Sequence, residues 1–333
     1  PTITVSVNEE LTLNGINLNK VKDVELYVNG QAKDYTNVNL KTQENTYQIT
    51  AKLVAKQTEN TNLFIISSKT ASYVLNRIPN EELRPKVSDG KISWKAFDGV
   101  SSYRLLFKDG TNDCDINNLM SDMIDLTDVN VVNCVKKLNS TFEISVIAYV
   151  NSFVVKDNEI HILSSLESTQ QTVVKLKANQ NIKVRATDEK EQKQVEISWD
   201  KPENVSTELF NKYIISVYKN NKSTLVEGFP YEITDFETTK KVFSSFTEET
   251  KYYVTIQTIG NDNVIYSDIE NYVEFTRLNR VENVAVSPNG KITFNEALGA
   301  IKYIVKLSSN TCEDALINAE YEVTNGEYTL TTD

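Results

Sequence analysis

The sequence predicts an all-β chain of tandem antiparallel β-sandwiches. Two observations carry this. One aromatic-bearing pattern occurs three times, as DGKISWKAFDGVSSYRLLFKDG at 89–110, QVEISWDKPENVSTELFNKYIISVYKNNK at 194–222 and NGKITFNEALGAIKYIVKLSSN at 289–310. Within each copy apolar side chains recur at every second residue, the period of a half-buried strand. The first aromatics, Trp94, Trp199 and Phe294, stand 105 and 95 residues apart. That interval is too long for a solenoid unit and suits a whole sandwich of ≈ 7 short strands.

The composition fits. The 333 residues suffice for two to four domains, and 40% hydrophobic residues allow sizeable cores. The 16 Tyr, with frequent Val, Ile and Thr, favour strands. Only 10 Gly and 6 Pro exclude collagen-like and proline-rich disordered chains. A formal charge of −11 opposes binding to nucleic acid, whose phosphates require Lys and Arg. No apolar run approaches the ~20 residues of a membrane-spanning helix, so no membrane insertion is expected in this segment. The chain opens at Pro1 without Met or signal peptide, and a mature, trimmed or cloned product is expected.

Residues 1–80 are the first expected sandwich. Val24, Leu26 and Val28 share one strand face, followed by Asn29-Gly30, a strong hairpin signal. Tyr47-Gln-Ile49-Thr-Ala51-Lys-Leu53 is a second alternating strand. Only 23 residues separate Val24 from Tyr47, so a small sandwich is expected. LTLNGINL followed by VELYVNG resembles the Ig-like domains found with plexins and transcription factors, which implies an Ig-like sandwich. The arrangement of the later repeats is the alternative.

Residues 81–176 are the second repeat. Ile92 and Trp94 share one face, and Tyr103, Leu105 and Phe107 share another. Phe142-Glu-Ile144-Ser-Val146-Ile-Ala148 opens 39 residues after Tyr103. Residues 177–277 are the third, with Trp199, then Tyr213, Ile215 and Val217. Its strand Tyr252-Tyr-Val254-Thr-Ile256-Gln-Thr258 again opens 39 residues after Tyr213. Residues 278–333 repeat only the opening: Phe294, then Tyr303, Val305 and Leu307. The 39-residue spacing counted from Tyr303 passes Asp333, so a truncated fourth repeat is expected, continued by further natural chain; the alternative is a short repeat like the first, with its late strand at Tyr328. Residues 163–186 read as the last strand of the second repeat running into the first of the third, with DEKEQK at 188–193 as a hairpin tip. The junctions RIPNEELRPKVSDG and RLNRVENVAVSPNG are short and not Gly/Ser-rich, so they are not free coils. An elongated, semi-rigid monomer is expected. Small-angle scattering checks this. The radius of gyration should lie well above the about 20 Å of a compact chain of this length, and a value at that level removes the rod.

These residues are similar to the fibronectin type III family over about 81–333. The family pattern has a Trp on the second strand, an aromatic on the third, and then L-x-P-x-T-x-Y-x-V-x-V-x-A. Residues 246–258 match it as Phe246, Glu248, Thr250, Tyr252, Val254, Ile256 and Thr258, with Phe for Leu, Glu for Pro and Thr for Ala. The resemblance implies core roles for Trp94, Trp199 and Phe294, and a tyrosine-corner bond from Tyr252 to nearby backbone. Phe142 has no hydroxyl, so the second repeat should lack that bond. The spelling GKISW…YRLLF looks like domains of bacterial surface proteins, which implies a bacterial-type cell-surface or secreted setting.

Chemistry-bearing motifs are few. His161 is the only histidine, and it sits in an alternating strand with no cysteine beside it in sequence. A Ser-His-Asp or Cys-His set would have to use it. Neither Gly-rich phosphate pattern is present. The 46 acidic residues make some carboxylate pair inevitable, so such a pair identifies nothing. Asp113-Cys-Asp115-Ile-Asn117 begins like a calcium loop, but position 118 is Asn and position 124 is Ile, where Gly and Glu are required. A looser site from Asp109, Asp113 and Asp115 competes with a simple polar loop. Trp94 and Trp199 could stack on sugars if exposed, but their strand position favours the core. Arg-Gly-Asp is absent. Asn139, Asn204 and Asn221 head acceptable glycosylation triplets. No catalytic residue, cofactor or metal is expected.

Cys114 and Cys134 fall in the second repeat. Paired, they would enclose about 20 residues and contribute roughly 3 kcal/mol on the chain-entropy model. In a reducing compartment both stay free. Cys312 follows Tyr303 as Cys114 follows Tyr103, so its partner is expected soon after Asp333. The function expected is a non-catalytic extracellular spacer or adhesion array with a protein or glycan partner. The alternative is an accessory region of a large secreted enzyme, such as a glycoside hydrolase.

Overall fold

The computed structural model describes residues 2–41, 44–56, 67–157, 159–186, 194–220, 222–244, 246–247, 250–269, 272–278, 281–297, 300–307 and 319–330. The expected hairpin tip at 188–193, Glu248, Asn221 and Cys312 lie outside them. The chain is all-β, in tandem antiparallel sandwiches. It forms two compact units: Pro1–Leu176 with Gly260–Tyr266, and Lys177–Ile259 with Ser267–Asp333.

The first repeat comprises β1 (Thr2–Val5), β2 (Glu10–Asn14), β3 (Val21–Val28), β4 (Gln31–Ala32), β5 (Val38–Asn39), β6 (Thr46–Ala55) and β7 (Ala71–Arg77). Strands β1-β2-β5 form one sheet and β4-β3-β6-β7 the other. Alternation places Leu26, Ile49 and Leu75 between them, each at most 1% exposed. The Asn29-Gly30 turn has φ of +50° and +77°, the left-handed pair that this hairpin requires.

The second repeat opens with a short 3-10 turn (Asn80–Leu83). It continues as β8 (Lys86–Ser88), β9 (Lys91–Ser93), β10 (Ser102–Lys108), β11 (Cys114–Leu119), β12 (Met123–Asp125), α1 (Val129–Lys137), β13 (Thr141–Tyr149), β14 (Phe153–Val155), β15 (Ile160–Leu163) and β16 (Gln171–Lys175). Strands β12-β9-β8 face β11-β10-β13-β16. The first repeat shares this strand order. Helix α1 was not expected. Asp128 caps it by accepting the Asn130 N–H, and Lys136 and Lys137 sit at its negative end. Val131, Cys134, Val135 and Leu138 are buried at helical spacing.

Two strands of the second repeat join the sheets of the first. β14 pairs antiparallel with β1, and β15 runs parallel to β7, Ile160 opposite Val74 and Leu163 opposite Arg77. Val155 and Leu163 accordingly belong to the first core. The linear boundary at residue 80 is therefore crossed by a later segment.

The third repeat holds β17 (Gln180–Ala186), β18 (Val195–Asp200), β19 (Phe210–Lys219), β20 (Thr224–Leu225), β21 (Tyr231–Ile233), β22 (Lys240–Phe243), β23 (Lys251–Gly260), β24 (Val264–Ile265) and β25 (Val273–Thr276). Strands β17-β18-β22 face β20-β19-β23-β25. β24 lies in the stretch that belongs to the first unit, where it runs parallel to β16. The fourth repeat has β26 (Ala285–Val286), β27 (Lys291–Thr293), β28 (Tyr303–Leu307), β29 (Ala319–Val323) and β30 (Glu327–Thr329). Its sheets are β26-β27-β30 and β28-β29. Val305 and Leu307 are half-buried, whereas Leu105, Phe107, Ile215 and Val217 at the same positions are fully buried. The difference follows from the strand on the second side of the third one: β13 and β23 supply it in the complete repeats, whereas β28 pairs with β29 alone among the described residues.

Candidate functional site at the joint of the first two repeats

Of the aromatics singled out from sequence, Trp94, Trp199, Phe142 and Tyr252 lie in the cores and Phe294 is half-buried. Trp94 and Trp199 are 7% and 3% exposed, each edge-on to the third-strand tyrosine, Tyr103 at 5.4 Å and Tyr213 at 5.3 Å. Phe294 meets Tyr303 in the same way at 4.9 Å. The indole N–H of both tryptophans has no partner among the described residues, so neither ring is held by a polar tether. Phe142 is buried against Phe107. The Tyr252 hydroxyl accepts the Thr247 N–H at 2.8 Å and closes the corner. Tyr47 makes a comparable bond, donating to the Leu40 carbonyl at 2.6 Å. Third-strand hydroxyls also tie down loops. Tyr103 and Tyr303 accept the N–H six residues upstream, at Phe97 and Ala297. Tyr213 donates to Phe236 O, and burial, followed by the charges of Glu237 and Asp235, pushes its hydroxyl up to about 12.

Cys114 and Cys134 form a disulfide with Cα atoms 5.7 Å apart, linking β11 to α1. Reduction should lower the stability of the second repeat by roughly 3 kcal/mol on the chain-entropy model. Denaturant unfolding followed by Trp94 fluorescence, with and without reductant, measures it. An unchanged midpoint would show that the bridge is not closed in solution.

The loop that resembled a calcium site uses its carboxylates internally. Asp109 accepts the N–H groups of Thr111, Asn112 and Asn139. Those of Asn112 and then Asn139 hold its carboxyl down at about 2. Asp113 accepts the N–H groups of Asp109 and Gly110, and Asp115 pairs with Arg104 at 2.8 Å. No group of three metal-binding side chains is found among the described residues. A further aromatic cluster lies elsewhere, in the third repeat, where Tyr272 is exposed, Tyr218 half-buried and Tyr253 buried. Tyr218, Tyr253 and Tyr272 cluster there, with the Lys222 ammonium 5.0 Å from the last two rings. Tyr218 and Tyr253 occupy the outward phase of strands whose inward phase drew attention in the sequence.

The densest polar construction joins the first two repeats. Arg77 ends β7 and its side chain is 2% exposed. It grips Glu9 with both terminal nitrogens, at 2.8 and 2.9 Å. It also donates to Leu40 O, to Glu44 O and, at 2.7 Å, to Ser164 O of the second repeat. Opposite it, three serines replace a paired strand along β13. Ser164, Ser165 and Ser168 accept the N–H groups of Val150, Ala148 and Val146 through their hydroxyls. Ser165 and Ser168 return their own N–H groups to Ala148 O and Val146 O. This clasp holds β15 where it meets β7.

Beside it lies a cleft of ≈ 530 Å³ lined by Asp98, Gly99, Asn151, Ser152, Phe153, Ile160 and His161. His161 stacks on Phe153 at 5.0 Å, and its Nε2 accepts the Lys156 N–H at 3.0 Å, so the ring ties β15 to β14 and the residue that follows it. Gly99, at φ +81°, would place a Cβ 3.0 Å from Ile162, so a side chain there meets both a strained backbone and a packed strand. From sequence, His161 is placed on a strand, but neither Arg77, Glu9 nor the serines are singled out. The local signal was the recurrence of a basic residue followed by Ile or Leu: Arg77-Ile78, Lys175-Leu176 and Arg277-Leu278.

No family model matches the chain, and no curated protein matches it. The solved structures that are similar include two. One, titled "Myokine structure", is 22% identical, covers 31% of this chain and 97% of its own, and has a TM-score of 0.24. The other, "Crystal structure of chicken CNTN1 FN1-FN3 domains", is 8% identical, covers 83% of this chain and 94% of its own, and has a TM-score of 0.31. At these values neither likeness carries an argument about function.

Proposed function

We propose that the chain is a non-catalytic array of sandwich repeats at a bacterial-type cell surface, acting as a spacer or adhesive element for a protein or glycan partner. The observation that carries this reading is the joint. A spacer sets distance only if its beads do not swivel. Here β14, β15 and the Arg77 bonds connect the first two repeats through backbone pairing and a buried ion pair, where a flexible linker would allow rotation. The disulfide supports an oxidising compartment, since such bonds are rare in reducing ones. The cleft by His161 sits among loops at a repeat end, where partners of such sandwiches dock.

Antibodies against the chain should label intact, unpermeabilised source cells or their medium, with Cys114 and Cys134 blocked to alkylation. Labelling only after permeabilisation would remove the surface assignment. A glycan array on the purified protein separates the two partner classes, and saturable turnover of a bound glycan would remove the non-catalytic one.

A further inference from the structure

Three corner strands, β6, β13 and β23, pair with the last strands β7, β16 and β25 in one register. Tyr47 stands opposite Leu75, Phe142 opposite Val173, and Tyr252 opposite Phe275. Two residues further along each last strand comes a basic side chain: Arg77, Lys175 or Arg277. Each donates to a carbonyl upstream of the corner aromatic, at Leu40, Leu138 or Phe246. Three residues along come Ile78, Leu176 and Leu278. The first two share a fate. The Ile78 N–H is donated to Leu163 O, and the Leu176 N–H to Ile265 O. These acceptors lie on β15 and β24, short apolar strands that run parallel to β7 and β16. Under that cover Ile78 is 2% and Leu176 is 1% exposed.

The covering strands are themselves built alike. Six residues after the corner aromatic, the N–H of Ala148 or Thr258 is donated to a serine hydroxyl, Ser165 or Ser267, in each case at 2.8 Å. The serine returns its own N–H to the same residue's carbonyl. Leu163 and Ile265 stand two residues before these serines. An apolar-apolar-x-Ser segment is therefore pinned by its serine and presents its second apolar residue to a neighbouring last strand. Leu53 and Ser68 repeat both clasp bonds in the first repeat, at 2.8 and 3.0 Å.

β25 is the third member of this series, and no strand lies on its outer edge among the described residues. Leu278, the counterpart of Ile78 and Leu176, is 39% exposed. Tyr272 and Val281 nearby are 40% and 38% exposed. We infer that the outer edge of β25 with Leu278 is a docking edge for a parallel apolar-apolar-x-Ser strand presented by another sandwich repeat of this kind. Main-chain pairing supplies affinity in such strand addition, and Leu278 supplies the pocket.

The test uses the whole 333-residue protein, isotope-labelled, and a synthetic peptide reproducing residues 157–165, DNEIHILSS. Saturable amide shifts at millimolar peptide should centre on Phe275–Leu278. A peptide with Asp in place of the leucine should lose them, as should the protein variant Leu278→Asp, whose exposed site leaves the sandwich intact. A photo-reactive leucine in the peptide should cross-link to residues 273–278. Absence of saturable shifts at millimolar peptide, or shifts centred on another sheet edge such as β4 or β22, overturns the inference.

Discussion

Arg77→Met should destabilise the first repeat by about 3–5 kcal/mol, the cost of stranding one partner of a buried ion pair. The substitution keeps most of the side-chain volume and removes the charge. Glu9 then holds a carboxylate with no counter-charge in a site where its side chain is 9% exposed. Ser164 O and Glu44 O lose their donor, while Leu40 O keeps the Tyr47 hydroxyl. Arg77→Lys should recover little, because an ammonium cannot reproduce the two-pronged grip on the carboxylate. The double variant Glu9→Leu with Arg77→Met should recover a substantial part, since removing both charges avoids the stranded one. Chemical denaturation gives the energies. Hydrogen exchange at Ile162 and Leu163 gives the second readout, because Arg77 also holds the strand entering from the second repeat. If Arg77→Met unfolds at the parent's denaturant midpoint, the pair is not buried as described.

Trp94→Ala and Trp199→Ala should each lower the stability of their own repeat by about 3–5 kcal/mol, as large aromatic truncations in a core do. Each ring packs edge-on to a tyrosine that in turn holds a loop, Tyr103 at Phe97 N and Tyr213 at Phe236 O. Loss of the ring therefore loosens the loop as well as the core. Trp→Phe should cost clearly less at either site. The indole N–H has no partner among the described residues to lose, and the remaining ring still faces the tyrosine. Urea unfolding of the four variants separates the cases. A Trp→Ala variant that keeps full stability and instead loses a ligand would place that ring at a binding surface.

Much of the fold was legible because strand alternation is a local property. Ile92 with Trp94, and Tyr103 with Leu105 and Phe107, declare their faces within a few residues. The 39-residue spacing declares that two such sets share one sandwich. Helix α1 is not among the expected elements: Asp128 and the spacing of Val131, Cys134, Val135 and Leu138 mark it, but its nine residues are hidden among strands. The carboxylates at 109, 113 and 115 could not be assigned from sequence. An Asp beside Gly and Asn serves a turn or a cation equally well until the N–H donors are placed.

The joint could not be read at all. Arg77 and Glu9 lie 68 residues apart, and β15 meets β7 across 86. Nothing in the alternation of Ile160-His-Ile162-Leu163 says which sheet it will join, because the same face pattern pairs with its own repeat or with a neighbour. By itself the sequence determined the class of the fold, the phase of the repeats and the core residues of the alternating strands it marked, since these follow from period-two burial along one strand. Only the tertiary structure decided which edge each short strand occupies. That choice rests on backbone donors and acceptors left open by distant strands, and on a serine clasp and a buried guanidinium that select one edge among several.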